Sequence, residues 1–188
     1  MPNPELKNLI EKLDVQGDRA AEKIIAKLCK LGSTAVPFLL VAAKDESNRR
    51  IQKWSLQALG GIGDKRSGGV LIASLSDERM TVKLHALRGL KKMKLKKAVP
   101  SITRLLDDPS GGIRVNALYA LMAIGASSAL PAIRRLLQDP QWYVRQNACV
   151  ACAQFKDSKV RSRLKILSTN DERKAVRTAA LEALTKLK

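Results

Sequence analysis

The chain repeats itself every 31 residues, and no other feature limits its fold so tightly. Ile51, Val82, Ile113 and Val144 stand 31 apart, and Val176 follows after 32. The residues just after them are Gln52, Lys83, Arg114, Arg145 and Arg177. Leu28, Leu59, Leu90, Leu121, Cys152 and Leu184 keep the same phase, and aspartates recur at Asp45, Asp77, Asp108, Asp139 and Asp171. A period of about 20 to 50 residues marks an array of supersecondary units. Each unit reads as two helices. In the fourth, Asp108-Pro109 is expected to open the first helix, with Asp as N-cap and Pro in the first helical position. Asp139-Pro140 repeats the signal in the fifth. Ile113, Ala117, Leu118, Leu121 and Ile124 follow at helical spacing. Gly125 suits a left-handed C-terminal cap. The second helix begins near Ala129-Leu130-Pro131 and runs through Ile133, Leu136 and Leu137. One such pair cannot bury its own apolar face, so neighbours must stack.

The expected fold is therefore all-α: a right-handed α-solenoid of stacked antiparallel helix pairs in a single domain. The repeats fall at 18–44, 45–76, 77–107, 108–138 and 139–170. A cap helix over 3–14 closes one end, with Asn3 as its N-cap, Pro4 in the first turn, and Leu6, Leu9, Ile10 and Leu13 facing inward. A single helix over 171–188 stands at the other. That last helix is expected either as a bare cap with a polar outer face (Arg173, Lys174, Glu182, Lys186) or as a contact for another chain, giving an oligomer. Composition fits thin helical layers. Apolar residues make up 45% but aromatics only 3%, so Ala, Leu, Val and Ile carry the core.

The segments DDPSGGIRVNALYALMAIGASSALPAIRRLLQD and DPQWYVRQNACVACAQF carry a shared pattern: Asp-Pro, Val/Ile-Arg, Ala-Leu, a Gly turn, then a helix ending Leu-Leu. This pattern resembles HEAT repeats of the short bacterial and archaeal kind, the PBS-lyase-like type, over residues from about 18 to 188. The resemblance implies the fold. It says less about function, because HEAT arrays mostly serve as interaction scaffolds. HEAT-like DNA glycosylases that excise alkylated bases use exposed tryptophans and an aspartate, and only Trp142, Val144 and Arg145 fit that idea here. HEAT-like iron hydroxylases use His-Glu pairs, and this sequence has none. Phycobilin lyases share the repeat type, but no chromophore-site residue is assignable from the sequence.

Chemistry-bearing residues mostly dissolve into the repeat. Cys149-Val-Ala-Cys152 has the CxxC spacing of a redox or metal half-site. However, Cys149 aligns with Leu118, and Cys152 with Leu121 and Leu90, so both are expected in the core as small hydrophobes. His85, the sole histidine, aligns with Trp54, Asn116, Asn147 and Ala179, a packing or surface position. The Lys83, Arg114, Arg145, Arg177 column and the aspartate column are expected to pair between adjacent repeats. No catalytic residue, metal or cofactor is expected. Three cysteines suggest a reducing compartment. No signal-type stretch or apolar run of ~20 residues is present, which predicts a cytoplasmic protein with no membrane partner.

Charge is the one feature that exceeds the fold. The formal net charge is +18, from 35 Lys and Arg against 17 Asp and Glu. Acids gather at loops between repeats, as at Asp107-Asp108 and Asp171-Glu172. Turns inside the pairs carry Lys94, Lys96, Lys97, Lys156 and Lys159. Lys94 and Lys156 stand where Gly32, Gly63 and Gly125 stand in sister repeats, so a left-handed backbone there runs against residue preference. On the second helices, Arg104, Arg134, Arg135, Arg163 and Lys165 align as a basic concave face. These ten residues form the expected polyanion site. The function expected from them is a non-enzymatic scaffold that binds an acidic protein or segment. The alternatives are a sequence-independent binder of nucleic-acid phosphates and an alkylpurine glycosylase-like enzyme.

Overall fold

The computed structural model describes residues 4–187. The chain divides into two compact units, Met1–Ala98 and Val99–Lys188. In the first unit the helices are α1 (Pro4–Glu11), α2 (Asp18–Leu31), α3 (Val36–Ala42), α4 (Arg49–Ile62), α5 (Gly68–Ala73) and α6 (Met80–Met93). In the second they are α7 (Val99–Arg104), α8 (Gly111–Ile124), α9 (Leu130–Arg135), α10 (Trp142–Gln154), α11 (Arg161–Asn170) and α12 (Lys174–Lys186). No strand occurs among the described residues. The fold class is the all-α helical-repeat solenoid type that the period predicts. No helix among the described residues is long and apolar enough to cross a membrane.

The period sets the core. Leu28, Leu59 and Leu90 in the first unit, and Leu121 and Cys152 in the second, are fully buried at the same position of successive first helices. Small residues let the layers approach. A Cβ placed on Gly89 would lie 2.6 Å from the Gly60 Cα, so α4 and α6 touch backbone to backbone there. In the cap helix, Leu6 and Ile10 are buried as expected. The Asn3 cap lies outside the described residues.

The aspartate column works differently from the expected N-caps. α8 starts at Gly111 and α10 at Trp142, so neither Asp108 nor Asp139 caps a helix directly. Each column aspartate instead accepts the amide N–H two residues on. The acceptor–donor pairs are Asp45 with Ser47 (2.9 Å), Asp77 with Arg79 (2.8 Å), Asp108 with Ser110 (2.9 Å), Asp139 with Gln141 (2.9 Å) and Asp171 with Arg173 (3.0 Å). This Asx-type turn consumes one more step of chain before the helix begins.

The same aspartates hold neighbouring repeats together in the second unit. Arg114 donates Nε and Nη2 to the Asp139 carboxylate (2.8 and 2.7 Å), and its Nη1 donates to the carbonyls of Asp108 and Pro109 (2.8 and 3.1 Å). Arg145 repeats the pattern one repeat later. Its fork meets Asp171 (2.7 and 3.0 Å), and its Nη1 reaches the carbonyls of Asp139 and Pro140 (2.9 and 3.2 Å). The Arg145 guanidinium holds the Asp171 carboxyl below the usual carboxylate range. In the first unit Gln52 occupies the arginine position. There Arg79 bridges it to Asp77, with Nη2 at 2.6 Å from each side chain.

Candidate functional site

The turn lysines sit on strained backbone. Lys94 has φ 48° and Lys156 has φ 53°, both in the left-handed region. Leu95 N–H donates to the Leu90 carbonyl (3.3 Å), Ala126 N–H to Leu121 (3.0 Å) and Asp157 N–H to Cys152 (2.9 Å). Lys94, Gly125 and Lys156 thus close their helices with one and the same bond pattern, the Schellman type. Lys94, Lys96 and Lys97 are exposed and belong to the first unit; Lys156 and Lys159 are exposed and belong to the second.

The five cations expected on the second helices fall into two groups. Arg104 and Lys165 are exposed. Arg134 is instead committed to structure: its Nε and Nη2 donate to Asp157 (2.7 and 2.9 Å), whose side chain is almost wholly buried. That bond raises the arginine's already high pKa. Arg135 pairs with Asp107 at 2.9 Å in an exposed ion pair, a kind worth under ~1 kcal/mol. Two of the five are therefore matched by the protein's own carboxylates. Arg163 is half-buried, and its Nε is shielded from solvent with no hydrogen-bond partner among the described residues.

Arg163 lines a cleft of about 590 Å³ in the second unit. One wall is the loop after α9, with Gln138 and Pro140; the other is α11, with Arg163, Ile166 and Asn170. The Arg145–Asp171 clamp also lines it. Ile166 is an exposed large apolar side chain. Sequence reasoning missed Ile166, Asn170 and Gln138. A signal was present for Ile166, which follows Arg104 and Arg135 in a column that begins with Ala73. The cleft thus combines a half-buried guanidinium and an apolar contact with the carboxylates of Asp139, Asp171 and Glu172 on its lining.

The remaining chemistry-bearing groups point inward. Cys149 and Cys152 are fully buried in α10, and burial pushes both thiols up to about 12. Cys29 is half-buried, and burial raises it as well. His85 packs 6.3 Å from Trp54 in a tilted ring pair. Burial first, and then Arg88 and Lys53, lower it to about 4. Trp142 meets the edge of Tyr143 at 5.8 Å, and Tyr143 covers Gly111, whose added Cβ would lie 2.4 Å from the tyrosine oxygen. That pair anchors the start of α10 on α8, and Trp142 is not among the residues lining the cleft.

Residues 69–137 and 113–185 match the family model of HEAT repeats. The phycocyanobilin lyase subunit beta of Pseudanabaena tenuis (strain PCC 7409) is 39% identical over 87 residues, covering 46% of this chain and 30% of that protein. The bilin biosynthesis protein RpcF of Synechococcus sp. (strain WH8020) is 39% identical over 88 residues, covering 46% and 42%. The chain spans less than half the length of these curated relatives. The solved complex of CpcE and CpcF of phycocyanin lyase from Nostoc sp. PCC7120 matches with a TM-score of 0.65 and 25% identity, over 98% of this chain and 78% of that one. A designed armadillo repeat protein in complex with the peptide (KR)4 matches at TM-score 0.66 and 17% identity, over 98% and 100%, which speaks for the fold alone.

These relatives overturn the expectation of a plain scaffold for an acidic partner, with its nucleic-acid and glycosylase alternatives. The proteins similar to this chain are bilin lyase and bilin biosynthesis proteins. The +18 already subtracts every carboxylate, so it gives the size of the surplus but not which cations are left over. Arg134 and Arg135 carry formal charge but already hold carboxylates.

Proposed function

The chain belongs to the HEAT-repeat family, and on that premise we propose that it works as a bilin-lyase-type subunit that holds a linear tetrapyrrole for transfer with the help of a second protein subunit. The observation that carries this reading is the 39% identity to two separate bilin proteins. The match to the CpcE–CpcF lyase complex over 98% of the chain supports it.

The geometry agrees with the chemistry of such a substrate. A linear tetrapyrrole is a long apolar conjugated body with two propionate carboxylates. The α9–α11 cleft sets the half-buried Arg163 guanidinium beside Ile166. An arginine fork matches a carboxylate in shape and charge, and the apolar side chain covers a ring edge. The surplus of positive charge draws a dianionic pigment toward the protein at long range. Only thiolates are effective nucleophiles, and Cys149 and Cys152, pushed up to about 12, stay protonated at neutral pH. The chain accordingly holds the pigment by non-covalent contact rather than through these thiols.

The test is a titration of the purified chain with phycocyanobilin, read from the pigment's absorption spectrum. A spectral shift with saturable binding is expected. Arg163→Leu should weaken it by about tenfold or more, the loss that follows a missing charge-assisted hydrogen bond. An unchanged pigment spectrum, with the chain alone and with the CpcE or CpcF subunit added, would refute the reading.

A further inference from the structure

Two neighbouring first helices of the second unit, α8 and α10, carry almost no charge. Their only charged side chains are Arg114 and Arg145, and both forks are spent on Asp139 and Asp171. In the outward columns of the repeat the other first helices differ. There α4 carries Arg49 and Lys53, α6 carries Arg88 and Lys91, and α12 carries Lys174 and Glu182. The matching positions on α8 and α10 hold Val115, Tyr119, Met122, Trp142, Gln146 and Val150. Tyr119, Trp142 and Val150 are 43%, 37% and 39% exposed.

These side chains form one surface. Val115, Tyr119 and Met122 stand at i, i+4 and i+7 on α8, so they share a face. The two helices are tied at both ends: Tyr143 covers Gly111 at the start, and Gln154 Nε2 donates to the Met122 carbonyl (3.1 Å) at the finish. Ile113, Ala117, Leu121 and Ile124 fill the inner sides of α8, so that helix is apolar all round, and a helix of that kind is normally covered on every side. Another repeat would not cover it. α8 already packs on α7 and α10, and α10 on α8 and α12.

We propose that this face pairs two copies of the chain about a two-fold axis, with Tyr119 of one copy against Val150 of the other, and the reverse. The occupant follows from charge. Each copy carries +18, so two copies repel wherever their cationic faces meet. A two-fold contact lays a surface on itself, and every group in it must suit its own kind. Apolar side chains do, and so does the Gln146 amide, which both donates and accepts. The cations of the other first helices do not. An acidic partner would gain from those cations and nothing electrostatic from this face. Helices of 14 and 13 residues, about 20 Å long and about 9 Å apart, present roughly 500 Å² per copy, the lower bound of a specific interface. The dimer should therefore dissociate in the micromolar range.

The test is sedimentation equilibrium of the full chain up to about 200 μM, above the dissociation constant expected of an interface this small. A dimer is expected. Tyr119→Arg gives α8 the cation that α6 bears at this position, Arg88, so the melting temperature should stay unchanged. It should raise the dissociation constant by about 30-fold or more, because the symmetry sets the new cation in the seam twice. Val150→Arg should act alike. Lys156 and Lys174, exposed at the rim, repel across the seam, so salt should tighten the dimer by screening them. A monomer at every concentration overturns the proposal. So does a dimer that both arginine variants leave intact, one that Val41→Arg or Leu181→Arg breaks instead, or one that salt loosens. No bilin enters the experiment, so its outcome is separate from the pigment reading.

Discussion

Replacing Lys94 or Lys156 by glycine should stabilise the protein. Both residues lie in the left-handed region, at φ 48° and 53°, where a side chain costs about 1–2 kcal/mol. Glycine removes that cost, but its freer unfolded chain returns about 0.5–1 kcal/mol of it. The net gain is about 0.5–1 kcal/mol per site. Nothing else is lost, because both side chains are exposed and make no hydrogen bond among the described residues. The turn itself is preserved, since Gly125 closes its helix with the same bond pattern. For a chain of this size ~1 kcal/mol moves the melting temperature by about 2–4 °C, so each substitution should raise it by about 1–4 °C. Urea midpoints followed by circular dichroism at constant slope provide the second readout. The reverse change is the control: Gly125→Lys should cost a similar amount, and no atom lies within 4 Å of its added Cβ to add a clash. A fall in stability for Lys94→Gly and Lys156→Gly, or a neutral Gly125→Lys, would refute the strain argument.

Three further outcomes follow from the packing. Asp139→Ala leaves the buried Arg114 guanidinium unpaired, and urea unfolding should report a loss of about 3–5 kcal/mol; pairing Arg114→Met with Asp139→Leu should recover most of it. Gly89→Ala forces a Cβ to 2.6 Å from the Gly60 Cα, which should cost about 1–3 kcal/mol by overpacking. His85 is lowered from 6.5 to about 4 by burial, so between those values the unfolded chain takes up a proton that the folded chain refuses. The stability His85 contributes is whole above pH 6.5 and declines as pH falls toward 4, and His85→Gln should flatten that limb of a plot of urea midpoint against pH.

The site was much less legible in the sequence than the fold. Arg114 and Arg145 could be matched with the aspartates because both recur in phase. Arg134 could not be matched with Asp157, because the acid recurs only at Asp64 in that column, with Leu95 and Ala126 at the positions between. The cleft at Arg163 was hidden for a related reason. It depends on how far the loop after α9 stands from α11, a distance that residue identities do not encode.

The sequence by itself determined the class and the register of this protein. A 31-residue period with helical spacing inside it admits only stacked helix pairs, since each pair has an apolar face that a neighbour must cover. It also marked Lys94 and Lys156 as the odd residues of their turns. The tertiary structure alone decided which charges are matched and which apolar side chains are covered. Leu118 and Leu181 are the same residue at the same position of the repeat, yet one is buried and the other is 53% exposed. The reason is physical: helical spacing is a property of the chain itself, whereas burial and ion pairing belong to whatever packs against it.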